Sequence, residues 1–383
     1  MDYRLSDEQK SFVTAFADFV DKEIVPRGAA VESAKVFPME NYKRLAAFGY
    51  NGILHEERFG GTDLDHVTAT LAQVELARGC ASTYLSVGAS VGLFGTPLRL
   101  FASEEMKTEI IPGLVSGDLV GAWALTEPHC GTDAAAMTTT ARKTESGYVL
   151  NGSKMFITNG GDADWVMVAA RTDTDSGHKG ISNFLVKKGT PGFSASRPLE
   201  KMGLRGSPTV ALYFEDCEIP REWICGEEGE GFLQAMKTLE SGRLGMAAFG
   251  VGIAQACLNE SLRYTKEREA FGRAIIKFQP VHFKLADMQI DVDGAKLLLT
   301  RAAWLHSQGQ CPQAMFSAAK LFATEAAVRC ADRAVQVHGG AGYMSESRVE
   351  RLFRDARLGP IGEGTSEIQR RLIADETIAF FTK

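Results

Sequence analysis

The spacing of apolar positions changes its period twice along the chain. Near the N-terminus, Phe12, Phe16, Phe19, Val20 and Ile24 recur at intervals of four, three, one and four. That is one apolar stripe of a helix. Ser6-Asp-Glu-Gln9 precedes it as a capping box, and Pro26 is expected to end it. Helical stretches are also expected over 39–50, 66–78 and 104–116, parted by turns such as Phe59-Gly-Gly-Thr-Asp63. The pattern then turns strand-like. Threonine-rich Met137–Thr144 reads as a strand, and Asn151-Gly152 as a hairpin turn. Met155–Thr158, Trp165–Arg171, Gly180–Lys187 and Val210–Phe214 complete the strand set. From Glu230 the helical period returns over 231–268, Pro280–Ser307, Pro312–Val337 and Arg348–Arg357. A last helix is expected behind a second capping box, Ser366-Glu-Ile-Gln369.

These shifts divide the chain into an α-helical domain over 1–117, a middle β domain over 118–229 and a helical bundle over 230–383. The fold class is mainly α, with an antiparallel β-barrel or sandwich between two helical domains.

Composition narrows the function classes. The 383 residues are 45% hydrophobic and 23% charged, as in ordinary globular chains, and the net charge is −6. An acidic balance argues against a nucleic-acid binder held by bulk charge. No apolar run approaches the ~20 residues of a membrane span. The opening MDYRLSDEQ carries no signal or transit pattern, so a cytoplasmic location is expected. Seven cysteines never fall in CxxC spacing, and no HExxH occurs, so no metal site is expected.

Several strings can carry chemistry. In Gly362-Glu363-Gly364-Thr365-Ser366 a carboxylate sits between two glycines before a helix N-terminus. It suits a general base in a tight site, although read alone such a string is more often a solvated loop. Leu125-Thr-Glu-Pro-His-Cys-Gly-Thr-Asp133 is a hydroxyl-bearing turn, able to bond the heteroatoms of a cofactor or to be a turn only. Phe156 and Thr158 put a ring and a hydroxyl on one face of a strand. Arg268-Glu-Ala-Phe-Gly272, with Gln279 beyond, offers a guanidinium for a pyrophosphate. Arg348, Arg351, Arg354 and Arg357 could meet phosphates, but Glu350 and Asp355 favour an internal salt-bridge network. No GxGxxG follows a strand, and there is no P-loop.

Taken together, these strings resemble the acyl-CoA dehydrogenase family over essentially the whole chain. Leu125–Asp133, Leu150–Gly160, Arg268–Gly272, Gln279, Gln336-Val-His-Gly-Gly340 and Glu363–Gln369 carry the resemblance, in family order. It implies FAD as cofactor, an acyl-CoA substrate, an electron-transfer flavoprotein as partner and a homotetramer. Glu363 then matches the catalytic base. Trp123, Leu125, Thr126, Gly131, Thr132, Phe156 and Thr158 match the surroundings of the flavin ring. Arg268, Phe271 and Gln279 match contacts to the FAD pyrophosphate and adenosine, some across a subunit interface; Gln336, Gly340, Thr365 and Glu367 match further FAD contacts. Thr132, Glu240, Arg243 and Gly362 match positions near the acyl-CoA.

The string departs from the family at His129-Cys130, where glycine-rich sequence is usual, and this bears on CoA binding. Gly362 replaces a tyrosine of straight-chain members and is expected to open the acyl pocket. Branched-chain members carry their base near Arg243; the counterpart here is Gly242, which leaves Glu363 to serve. Cys80–Ser86 has no arginine for a glutaryl carboxylate. The expected activity is FAD-dependent α,β-dehydrogenation of a short, branched or cyclic acyl-CoA. An acyl-CoA oxidase, an enoyl-CoA reductase and a DNA-binding flavoprotein on the same scaffold are the alternatives.

Overall fold

The computed structural model describes residues 5–382; Met1–Arg4 and Lys383, the outermost residues of the expected first and last domains, lie outside them. The first block is helical: α1 (Asp7–Phe19), α2 (Gly28–Ala34), α3 (Met39–Phe48), α4 (His66–Gly79), α5 (Ala81–Val87), α6 (Gly95–Phe101) and α7 (Glu104–Ser116). The Ser6 hydroxyl and the Gln9 side chain cap α1 reciprocally. Its apolar stripe builds an aromatic knot. Phe16 stacks on Tyr50 with ring centroids 5.1 Å apart and meets Phe48 at the same separation. Pro26 does not end the helical run. The chain widens into a π-turn over Val20–Ile24, takes a 3-10 turn over Val25–Arg27 and continues as α2. Pro26 occupies the first turn of that 3-10 segment, where a missing N–H is tolerated.

The middle block is one sheet of eight strands: β1 (Gly121–Ala124), β2 (Thr140–Lys143), β3 (Gly147–Thr158), β4 (Trp165–Arg171), β5 (Ile181–Lys187), β6 (Phe193–Ala195), β7 (Thr209–Pro220) and β8 (Ile224–Cys225). The order is β6-β7-β3-β2-β4-β5-β8, with β1 against β4. It is not wholly antiparallel, since β1–β4 and β2–β4 are parallel pairs. Asn151-Gly152 is not a hairpin turn. It lies inside β3, where the register with β7 slips between Leu150 and Gly152. A β-bulge tolerates the same residues as a turn. Gly152 has φ +145°, and a Cβ there would fall 2.6 Å from Thr139 Oγ1. Asn151 pins the bulge by bonding Asp216 through both ends of its amide, at 3.1 and 2.9 Å. The reversal between β2 and β3 falls earlier, where the Thr144 N–H bonds the Gly147 carbonyl.

The last block holds α8 (Gly231–Glu267), a short hairpin of β9 (Glu269–Ala270) and β10 (Arg273–Ala274), then α9 (Gln279–Ser307), α10 (Gln313–His338), α11 (Arg348–Ala356) and α12 (Ser366–Phe381). α8 and α10 approach closely because Gly250 has no side chain; a Cβ there would lie 2.6 Å from the Ala323 backbone. Two arginines of the series, Arg348 and Arg354, are used internally. Arg348 bonds Glu260 at 2.8 Å, and Arg354 bonds Glu350 and Glu32 at 2.6 and 2.7 Å. Among the described residues no helix is long and apolar enough to cross a membrane.

Candidate active site

Two cavities meet at Glu363. One, of about 1000 Å³, is lined by Trp123, Leu125, Thr126, Phe156, Thr158 and Arg243, with Gly131 and Thr132 at its edge. The other, of about 810 Å³, runs between α5, α8 and the loop after α3, and is walled by Leu54, Leu85, Val91, Leu93 and Met246. Ala89, Leu93 and Glu363 border both. Residues of three sequence strings, Leu125–Asp133, Leu150–Gly160 and Glu363–Gln369, thus assemble around the first cavity.

The strand sequence explains how. A second register slip in β3, between Lys154 and Ile157, throws Phe156 out of the ladder at φ +62°. Its ring is 63% exposed, an unusual state for a phenylalanine in a sheet and a suitable one for a face that awaits a ligand. Asn159, at φ +64°, ties the end of that segment to α5 by donating to the Ser86 carbonyl at 2.8 Å. The turn after β1 is strapped to β3 by the Met155 N–H, which donates to the Thr126 carbonyl at 2.9 Å. Beneath the strap lies an ion pair that the sequence reading missed. Fully buried Lys154 donates to Glu127 at 2.8 Å and to the Leu125 carbonyl at 3.1 Å. Glu127 also accepts from the Thr138 and Thr139 N–H groups, at 2.7 and 3.0 Å. Burial pushes the Glu127 carboxyl up, but Lys154 and these donors more than offset it and hold it at about 2. His129 and Cys130 bring donor atoms within 4.8 Å of Glu127, whose own oxygens are already committed.

Glu363 is in the opposite condition. It has φ +55°, in the loop before α12, and its Oε2 is shielded from solvent without a hydrogen-bond partner. The loop is held by its backbone. Gln369 donates to the Glu363 and Gly364 carbonyls at 3.1 and 2.9 Å, and buried Lys320 donates to the Gly364 carbonyl at 2.8 Å. Gln369 is therefore not the reciprocal half of a capping box. The N-cap is Thr365, whose hydroxyl accepts from the Ile368 N–H, while Ser366 Oγ has no partner. The carboxylate fits against α8 because Gly242 has no side chain; a Cβ there would come within 2.5 Å of Glu363 Oε2. Burial raises the Glu363 carboxyl from its ordinary 4.5 to about 7, against the pull of Lys320 and Arg243. Burial brings Lys320 down to about 8. Lys320 was not anticipated either, although it interrupts the apolar face of Phe316, Ala319 and Ala323 on α10.

The remaining expected residues are spread differently. Thr132 and Arg243 line the larger cavity, but Glu240 lines neither and accepts from Gln313 at 3.1 Å. Gly362 also lines neither cavity, and a Cβ there would meet Leu358 at 3.7 Å. It widens neither of them. The smaller cavity is instead open at Gly88 and Gly92, where an added Cβ would meet nothing within 4 Å. Arg268, Phe271, Gln279, Gln336 and Gly340 lie exposed on the surface, and Thr365 and Glu367 line a separate cleft with Arg329 and Arg370. The larger cavity suits a flavin ring. It offers an exposed aromatic face at Phe156, three threonines and the buried Trp123 Nε1, a donor with no partner.

The sequence matches the acyl-CoA dehydrogenase N-terminal domain over 6–118, the middle domain over 122–217 and the C-terminal domain over 229–378. It is 40% identical to a short-chain specific acyl-CoA dehydrogenase of Clostridium acetobutylicum, over 98% of this chain and 99% of that protein. The butyryl-CoA dehydrogenase of Megasphaera elsdenii superposes with a TM-score of 0.95 at 39% identity, covering 99% of this chain and all of that one. A chain solved in work on the electron transferring flavoprotein of Acidaminococcus fermentans gives 0.96 at 40% identity, covering 98% and 99%. With all three domains matched in order, the chain belongs to the acyl-CoA dehydrogenase family of FAD-dependent oxidoreductases.

Proposed function

We propose that this enzyme removes the α-proton and β-hydride of a short acyl-CoA, with Glu363 as the base. The observation that carries the proposal is the shielded, unpartnered carboxylate oxygen where the two cavities meet. FAD, when bound, supplies the hydride acceptor. Thr126, Thr158, Phe156 and Trp123 would hold its ring in the larger cavity, leaving the smaller one to the acyl chain. A carboxylate in water is too weak a base for an α-proton. Here Glu363 is already raised by burial, and an acyl chain that expels water raises it further. Its backbone N–H is assigned to the thioester oxygen, where enolate charge develops; one such donor is typically worth ~3 kcal/mol. Arg243 stands beside the carboxylate with Nε and Nη1 unpartnered, a second source of positive potential.

The relatives support a short chain and an electron-transfer flavoprotein as electron acceptor. A branched or cyclic acyl group is the finer reading, supported by the open walls at Gly88 and Gly92. A cytoplasmic site of action fits seven cysteines that are all unpaired. The test is anaerobic mixing with butyryl-, isobutyryl- and cyclohexanecarboxyl-CoA. The flavin bleaches fast with at least one short acyl-CoA, and fastest with a branched or cyclic one. Failure with all three would remove the activity; butyryl-CoA winning clearly would remove the finer reading. Peroxide formed in air at the rate of turnover would assign an oxidase.

The surface strings support a homotetramer. Phe271 is 96% exposed at the tip of the β9–β10 hairpin, with Arg268 and Gln279 exposed beside it. We assign them to the FAD of a neighbouring subunit. Arg268→Ala should then weaken FAD binding about tenfold, read by flavin released on dilution, while the assembled size is unchanged. Full FAD retention by the variant, or by a monomer, would contradict the assignment.

A further inference from the structure

The lining of the smaller cavity includes buried polar side chains that each keep one atom without a partner. Asn51 and His55 both line it, at 1% and 3% exposure, with Gln73 and Thr96 beside them. The Asn51 amide is oriented by two carbonyls: its Nδ2 faces the Tyr42 and Leu114 oxygens at 3.4 and 3.5 Å. That leaves Oδ1 buried and unpaired. His55 bonds the Val91 backbone, and its Nδ1 has no partner. Burial and the nearby Arg99 lower its pKa to about 4, so the ring is neutral. With the single ring proton committed to the Val91 carbonyl, Nδ1 is an acceptor. Two buried acceptors thus stand unsatisfied in one cavity. Native interiors rarely leave such groups unpaired.

We propose that Asn51 and His55 form a specificity floor for an acyl-CoA whose chain ends in a neutral hydrogen-bond donor, a hydroxyl. This rests on the reading of the smaller cavity as the acyl site. The two unpaired acceptors decide among terminal groups. A terminal carboxylate, although Arg99 would attract it, would set a third acceptor against Asn51 Oδ1 and His55 Nδ1. A terminal ammonium would be repelled by Arg99, which already acts electrostatically on His55. A hydroxyl donates to either atom and carries no charge. A plain hydrocarbon tail would leave both acceptors buried and dry, a costly state that a site built for a polar group uses to reject the apolar analogue.

The test compares two matched pairs on the FAD-loaded enzyme: butyryl- with 4-hydroxybutyryl-CoA, and valeryl- with 5-hydroxyvaleryl-CoA. At the length that reaches the floor, the hydroxyl should raise kcat/KM about five- to tenfold over its parent, the worth of one net hydrogen bond. The gain should appear mainly in KM, because the group binds alike before and during the chemistry. His55→Leu should reverse the preference, and Asn51→Leu should do the same if His55→Leu loses flavin. If the hydrocarbons win at both lengths, or if neither variant shifts the ratio, the floor holds only water and the inference is overturned. If no acyl-CoA of either kind bleaches the flavin, the acyl-CoA reading itself has failed, and the floor falls with it.

Discussion

Glu127 and Glu363 belong to strings around the same cavity, and burial acts on both in the same direction. Glu127 nevertheless lies at about 2 and Glu363 at about 7. Cations are near each. Lys154 touches the Glu127 carboxylate at 2.8 Å, and two backbone N–H groups and the Thr138 hydroxyl also donate to it. Lys320 spends its contact on the Gly364 carbonyl, and Arg243 reaches Glu363 only through space. Direct contact, rather than a charge in the neighbourhood, therefore separates the structural carboxylate from the one proposed as the base. A base needs a free lone pair and an elevated pKa, and Glu363 has both. Glu127 has neither and serves to hold the Thr126 turn against β3.

The largest effect should come from breaking the reactive side. Glu363→Gln preserves shape but cannot accept a proton. FAD and acyl-CoA should still bind, since the cavity linings are unchanged. Anaerobic flavin reduction should fall by about 10²–10⁴-fold, the usual worth of a positioned base. Reduction within tenfold of the parent enzyme would show that the base is elsewhere.

Breaking the structural side should instead cost stability. Lys154→Met leaves Glu127 buried with no counter-charge, which typically costs about 3–5 kcal/mol. The denaturant midpoint at saturating FAD should drop accordingly. The double variant Lys154→Met, Glu127→Gln should recover most of the loss, because no uncompensated charge remains. Equal losses in the single and double variants would mean that the pair is not the unit proposed here.

The same contrast explains what could be read in the sequence. Periodicity located most of the helices and the main strands, because it reports which face each element buries. The Glu363 string stood out because a carboxylate between glycines is locally odd. Lys154 and Lys320 did not, because a lysine shows its role only when its partner is known, and those partners are Glu127, 27 residues away, and the Gly364 carbonyl, 44 residues away. Asn151-Gly152 was misplaced for a related reason: a bulge and a turn ask for the same residues, and only β7 alongside decides between them. Gln369 matched a capping box in spacing, yet the structure spends it on the loop that carries Glu363.

The smallest effect, and the sharpest measure of the contrast, is the pH dependence. With Glu363 near 7, the base is protonated and idle below that pH and free above it. The kcat/KM for flavin reduction should rise about tenfold between pH 6 and pH 8 and then level. Glu127, near 2, is ionised throughout and contributes nothing to this range. Lys320→Met removes a cation that pulls Glu363 down, so its midpoint should move to higher pH. Stability carries the opposite sign. Between about pH 4.5 and 7 the folded chain holds a proton on Glu363 that the unfolded chain has released. The resulting stabilisation is complete below about 4.5 and is lost as pH rises through 7. Glu363→Gln should therefore flatten the fall in thermal midpoint across that window. A rate profile that is flat from pH 6 to 8, with chemistry shown to limit it by deuterium at the α-carbon, would put Glu363 at the ordinary carboxylate value and erase its difference from Glu127.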